Sequence, residues 1–311
     1  MLGKTARLLS LVLVLFFFFG CTDREASHKV SLEKKEPTRN GSGPVEQAHL
    51  RVAVGGMITP KEGFAYYRQF LDYIGEKLGR HVQFVDRESY AEINQLIREK
   101  KVDLAFVCGG PYVTGHDEFG MELLVAPRAY GGTVYYSYII VPQESPARSF
   151  EELRGKKFIF TDPLSNTGKL VPTYMLARMG ETPDTFFSEQ VFSGSHDKSI
   201  QAVSRNLADG AAVDSLIWEY LQQTNPALTA RTRILHKSPP YGIPPVVVRP
   251  DLPADLKAEI LLIFREAHQD EKGREILKKM MIEEFVPIDD EAYDSIREMQ
   301  AWVAARNSAK R

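Results

Sequence analysis

Apolar residues along the chain switch period in a regular order. Arg51-Val52-Ala53-Val54-Gly55 predicts a short strand ended by glycine. Phe64, Tyr67, Phe70, Leu71, Ile74 and Leu78 then recur at helical spacing and predict a one-faced helix that stops at Gly79. His81 to Val85 alternates as a strand. Ser89-Tyr90-Ala91-Glu92 is a capping box ahead of Ile93, Leu96 and Ile97. Val102 to Val107 is apolar except for Asp103, the pattern of a buried parallel strand. The stretch reads β-α-β-α-β, with crossovers long enough for a parallel sheet.

The pattern then restarts. Val134 to Val141 predicts one long strand, Ser149-Phe150-Glu151-Glu152 a second capping box, and Lys157 to Phe160 a strand. A helix is expected from near Thr167 to Gly180, followed by strands at Gln190–Phe192, Gly210–Asp214 and Thr232–Leu235. Ile200, Val203 and Leu207, and then Leu216 to Leu221, mark the helices between them. After Pro245 come a strand, Val246–Val248, and three helical patterns ending on Tyr293, Ile296, Met299 and Val303. The expected fold class is α/β with two lobes and a hinged ligand cleft. Lobe 1 is read as 49–140 plus 246–311, and lobe 2 as 141–245.

The first 48 residues carry a different pattern. Lys4 and Arg7 precede an apolar run from Leu8 to Phe19, broken only by Ser10 and closed by Gly20-Cys21. That run is too short for a bilayer core, which needs about 20 residues, so 1–21 is read as an export signal. Phe18-Phe19-Gly20-Cys21 resembles a bacterial lipobox, which implies a lipid on Cys21; plain signal cleavage is the alternative. Residues 22–48 hold few apolar side chains and are expected to be a flexible tether.

Composition narrows the function classes. Among 311 residues, Lys+Arg (39) and Asp+Glu (41) nearly balance at a net charge of −2, so binding nucleic acid through bulk positive charge is not expected. Two cysteines exclude a disulfide scaffold or a cysteine-rich zinc site, and no metal or cofactor is expected. If Cys21 is acylated, Cys108 has no partner within the chain. No nucleophile elbow, phosphate-binding glycine loop or His-Glu-x-x-His motif occurs, and an enzyme is not expected.

Ligands of open α/β lobes sit beyond the carboxyl ends of strands, where helix N-termini point. Thr161-Asp162-Pro163-Leu164-Ser165-Asn166-Thr167-Gly168 gathers hydroxyls and an amide at a helix start. These groups either hold a small oxyanion or simply cap the helix. His196, in Ser193-Gly194-Ser195-His196-Asp197, is a second candidate, with a structural histidine as the alternative. Asp214 ends a strand and either caps the next helix or accepts a proton from a ligand. Cys108 and Tyr112 lie in the glycine-rich Phe106-to-Tyr112 junction, and Tyr135 and Ser137 on the probable crossing strand.

Together these stretches resemble the phosphate/phosphite/phosphonate-binding proteins of bacterial ABC transporters, from about Arg51 to Val286. The strongest parts are Asp162-Pro163-x-Ser165-x-Thr167-Gly168, Ser195-His196-Asp197 and Ala212-Val213-Asp214-Ser215. The resemblance implies a type II periplasmic-binding-protein fold. It implies ligand oxygens held by Ser165, Asn166 and Thr167, with Tyr90, Tyr135 and His196 completing the shell. Aminoethyl-phosphonate binders carry an acid where Leu216 stands and another near Gly242-Ile243-Pro244-Pro245. A compact oxyanion such as phosphite or phosphate is therefore expected in preference to an aminoalkylphosphonate. The expected protein is a monomeric, exported solute-binding lipoprotein, lipid-anchored and facing the periplasm or cell exterior, that serves an ABC permease in phosphonate or phosphite transport. Its alternative is an arsenite or other oxyanion sensor that uses Cys108 and signals to a membrane histidine kinase.

Overall fold

The computed structural model describes residues 49–55 and 64–309. The lipobox around Cys21 and the tether read at 22–48 lie outside the described residues, and so do residues 56–63. Among the described helices none is long and apolar enough to cross a membrane.

In chain order the first elements are β1 (Leu50–Val54), α1 (Phe64–Leu78), β2 (Val82–Val85), α2 (Tyr90–Arg98), β3 (Leu104–Phe106), α3 (Gly109–Phe119) and β4 (Glu122–Arg128). Next come β5 (Val134–Tyr135), β6 (Ser137–Pro142), β7 (Lys157–Phe160), α4 (Val171–Arg178), α5 (Pro183–Phe186), β8 (Glu189–Phe192), α6 (His196–Ser204), β9 (Gly210–Asp214) and α7 (Ser215–Thr224). The chain ends with α8 (Pro226–Thr229), β10 (Thr232–Lys237), β11 (Tyr241–Gly242), β12 (Val246–Val248), α9 (Ala254–Glu266), α10 (Glu271–Lys279), β13 (Glu284–Val286) and α11 (Asp294–Ala309).

Two sheets organise these elements. One is six-stranded in the order β13-β4-β12-β3-β1-β2, and the other is five-stranded in the order β10-β6-β9-β7-β8. β1 pairs in parallel with β2 and β3, and β7 in parallel with β8 and β9, as the βαβ pattern requires. Between the sheets β5 and β11 pair antiparallel, Tyr241 opposite Tyr135, so the two crossings form a short ribbon. The Ser89 capping box is present as read from the sequence. Asp103, the polar break in a buried strand, is held between Arg51 (2.7 Å) and Arg249 (2.9 Å), which satisfies its charge.

Each sheet has its own aromatic core. α1 buries Tyr67, Phe70, Leu71 and Ile74 against the larger sheet, where Phe70 meets Phe264 edge-on at 5.3 Å. In the smaller, Phe158 stacks on Phe187 at 4.4 Å beside Phe150, Phe160 and Phe186. Truncating one such ring to alanine costs about 3–5 kcal/mol.

Several expectations are corrected. The single strand at Val134–Val141 is two, because the ladder changes partner at Tyr136. Tyr135 pairs with β11, whereas Ser137 pairs with Asp214 of β9, and the Tyr136 N–H between them donates to Ser215 Oγ (3.0 Å). The predicted box at Ser149–Glu152 caps no helix: Glu151–Leu153 is one 3-10 turn, and Glu152 accepts from the Arg148 N–H (2.9 Å). The helix expected from Thr167 begins as a π turn, Asn166–Leu170, before α4. β4 and β13 carry no period-2 signature and are not expected from the sequence; Pro127 lies within β4, opposite Phe285 of β13. α11 lies across both halves. Trp302 meets Tyr174 of α4 edge-on at 5.0 Å, Arg306 donates to Ala177 O (3.3 Å), and Ile296 lies against Gly109 of α3.

Candidate functional site

The carboxyl ends of β3, β7, β8 and β9 deliver Cys108, the Thr161–Leu170 turn, Ser195-His196 and Asp214 to one region. α2 adds Tyr90 and the ribbon adds Tyr135. Helix starts follow each strand, so N–H groups without intrahelical partners also point there.

The halves meet closely along this seam. A Cβ on Gly110, at the start of α3, would lie 2.2 Å from Leu164 O and 3.2 Å from Asn166 N. Only glycine lets α3 approach the Leu164–Asn166 backbone this far. The Tyr90 N–H reaches Asp162 Oδ2 across the same boundary (3.3 Å).

Burial here is nearly complete: Asn166, Thr167, His196 and Asp214 are 0% exposed and Tyr90 2%. Yet Tyr90 OH, Asn166 Oδ1, Thr167 Oγ1, Ser195 Oγ, His196 Nε2 and Asp214 Oδ2 have no hydrogen-bond partner among the described residues. Buried polar atoms are satisfied in the great majority of cases, because each orphan costs about 1–3 kcal/mol. Such a concentration marks a place built to hold a polar guest.

The donors can be assigned. The Asp214 backbone N–H donates to His196 Nδ1 (3.0 Å), which must therefore be the acceptor nitrogen. Burial pushes the imidazole down to about 3, so His196 is neutral and carries its proton on Nε2 as a donor. Tyr90, Thr167 and Ser195 add hydroxyl donors, and burial drives the Tyr90 phenol well above its ordinary range, keeping its proton. Asp214 Oδ1 accepts from the Leu216 N–H (2.7 Å) and caps α7. Burial lifts its carboxyl to about 7, against which the Leu216 and Ile217 N–H groups pull down. Asp214 therefore donates through Oδ2 when protonated and accepts a ligand proton when it is not. Lys169, the cation beside the turn, has Nζ 3.7 Å from the Phe160 ring centroid. Hydroxyls, an imidazole and helix-start N–H groups are thus gathered at neighbouring strand ends, a chemistry suited to a small oxyanion that carries one shareable proton.

The remaining sequence candidates have specific places. Tyr135 OH accepts from Asn166 Nδ2 (3.1 Å) and contacts Cys108 Sγ (3.4 Å), so it positions the asparagine. Cys108 is fully buried, and burial raises its thiol, leaving it protonated. Ser137 Oγ donates to Thr167 O (2.6 Å) and ties β6 to the turn. Ser165 Oγ accepts from the Gly168 N–H (2.9 Å) as a cap, with its own proton still available to donate. The Tyr112 hydroxyl donates to Asp290 and its ring packs edge-on against Tyr293. Two nearby residues escaped the sequence reading as candidates. Ser195 had its signal in the Ser-His-Asp stretch. Tyr67 was read as core from its helical period, yet burial and the Asp214 carboxylate raise its hydroxyl.

Known proteins extend this picture. The family model described as "ABC transporter, phosphonate, periplasmic substrate-binding protein" matches residues 56–293. The chain is similar to the phosphonates-binding periplasmic protein of Escherichia coli, 26% identical over 68% of this chain, and spans 64% of that protein, less than two thirds of its length. A probable ABC-transporter phosphite-binding protein of Prochlorococcus marinus is 24% identical over 75% of this chain and 82% of its own. In structure, the binding component of a Pseudomonas aeruginosa phosphonate transporter superimposes with TM-score 0.80 at 23% identity, covering 85% of this chain and 89% of that one. A Prochlorococcus marinus protein solved with methylphosphonate gives TM-score 0.73 at 20% identity, covering 80% and 96%. The two-lobed periplasmic-binding-protein fold is thus shared, and the sensor alternative is not favoured.

Proposed function

The chain belongs to the periplasmic substrate-binding family of phosphonate ABC transporters, a family of binding components and not of enzymes, and on that premise we propose that it captures a small phosphonate- or phosphite-type oxyanion and presents it to a permease. The carrying observation is the set of orphaned buried atoms from Tyr90, Asn166, Thr167, Ser195, His196 and Asp214. In this reading the oxyanion lies between the lobes read at 49–140 plus 246–311 and at 141–245. Thr167, Ser165, Ser195 and Tyr90 donate hydroxyl protons to it, and His196 donates from Nε2. Tyr135, Cys108 and Ser137 hold the Asn166–Thr167 turn in place. Closure removes water, which strengthens each charge-assisted bond.

The leader supports export, and the lipobox-like Gly20-Cys21 supports a lipid anchor on Cys21 with 22–48 as its spacer. One folded body with its own cleft supports a monomer as the working unit. Calorimetric titration of the full-length protein in detergent with phosphite, phosphate and methylphosphonate tests the central reading. Saturable binding of at least one is expected. Ser165→Ala with Thr167→Ala should weaken it by ~1.5–3 kcal/mol per lost bond to the anion, or more than a hundredfold together. Wild-type affinity in that double variant would sink the assignment.

A further inference from the structure

A separate pocket of ≈ 350 Å³ lies at the amino ends of the larger sheet's parallel strands, the end opposite to Cys108 and the orphaned atoms. Arg51 at the start of β1, Arg80 ahead of β2, Asp103 ahead of β3 and Arg249 just after the antiparallel β12 all line it. So does His49, where the spacer read at 22–48 joins the fold. Asp103 is buried, and accepts from Arg51 Nε (2.9 Å), Arg51 Nη2 (2.7 Å) and Arg249 Nε (2.9 Å). Arg249 Nη1 donates to Asp251. These bonds fix the planes of two guanidinium groups. They leave Arg51 Nη1 and Arg249 Nη2 without an acceptor among the described residues. The Arg80 guanidinium, half-buried, has no acidic partner among them.

Three guanidinium groups share one lining carboxylate, so the pocket keeps two positive charges in excess. Groups already held in place lose little further freedom when their remaining N–H edges meet a ligand. We propose that this pocket is a second anion site, for the dianionic phosphate group of a monoester, held by Arg51, Arg80 and Arg249. Guanidinium forks match pairs of oxygens on one phosphate, and the charge excess matches a dianion. The volume falls within the range of small-ligand sites, about 300–1,000 Å³, and Leu252 and Leu256 give the ester's carbon body an apolar wall. A free glycerol- or sugar-phosphate and the headgroup of an anionic lipid both carry this group.

The experiment titrates the full-length protein in nonionic detergent with glycerol 3-phosphate and with dihexanoyl phosphatidic acid. Saturable binding of at least one is expected. Arg80→Ala should weaken it at least tenfold, with the far-UV circular dichroism unchanged because that guanidinium holds no other element. Ser165→Ala with Thr167→Ala, far along the strands from this pocket, should leave it unaltered. If the phosphatidic acid binds at least tenfold the tighter, the lipid headgroup is the ligand; otherwise the free ester is. No binding of either compound by the wild type overturns the site, and so does binding that Arg80→Ala leaves unchanged. Binding lost in the Ser165/Thr167 double variant belongs to the cleft and overturns it likewise.

Discussion

Replacing Asp214 by asparagine separates the proton on this residue from its shape. Asparagine keeps an oxygen for the Leu216 N–H (2.7 Å in the wild type), so the α7 cap survives. Its amide then offers permanently the donor that Asp214 offers only when protonated. Burial sets the Asp214 carboxyl at about 7, and its titratable surroundings (Tyr67, Tyr90, Tyr135 and Cys108) all hold their protons at that pH. The sign follows from the raised value. Below pH 7 the carboxyl is protonated and a dianionic ligand is accepted; above it the protonated fraction falls tenfold per pH unit. At pH 9 about one molecule in a hundred remains protonated, a penalty of ~2.7 kcal/mol relative to acid conditions. The ligand's own ionisation cancels when the two proteins are compared at each pH. Titration calorimetry from pH 6 to 9 should therefore show the ratio of wild-type to Asp214→Asn affinity falling about a hundredfold across that range, about fiftyfold of it between pH 7 and 9. Wild-type binding at pH 9 should also take up close to one proton, measurable by repeating the titration in buffers of different ionisation enthalpy. A ratio independent of pH would falsify the shared-proton argument.

Gly110→Ala places a methyl 2.2 Å from Leu164 O, so the halves cannot meet; at least a tenfold loss of affinity by calorimetry is expected, with the far-UV circular dichroism unchanged. Unaltered affinity would show that the seam plays no part in binding. Cys108→Ser keeps a partner for Tyr135, whose hydroxyl lies 3.4 Å from Sγ, so oxyanion affinity should stay within about threefold while stability drops by ~1 kcal/mol in urea denaturation. Loss of binding in that variant would give the thiol a direct role.

Local chemistry made the strand ends legible. Ser89-Tyr90-Ala91-Glu92 caps α2 as read, and Ser165 caps its turn through the Gly168 N–H, because both depend on residues three positions apart. The turn at Thr161–Gly168, His196 and Asp214 were visible for the same reason: each lies where a strand pattern passes into a helix pattern. What escaped depends on partners remote in sequence. The break at Tyr136 is imposed by Tyr241 and Ser215, neither of which leaves a mark near Val134. Tyr112 sits in the same glycine-rich junction as Cys108, but Asp290 and Tyr293, far along the chain, draw its hydroxyl and ring aside. Tyr67 shows the limit of periodicity: a helical repeat places its ring in the core, on Phe106, without saying that the Asp214 charge lies near enough to raise its hydroxyl.

The last helix carries a mechanical consequence. Two covalent crossings alone leave a pair of jaws free to bend and to twist. α11 adds a third, non-covalent tie along one flank through Trp302 on Tyr174 and Arg306 on Ala177 O. While that tie holds, it opposes any parting of α11 from α4 along that flank.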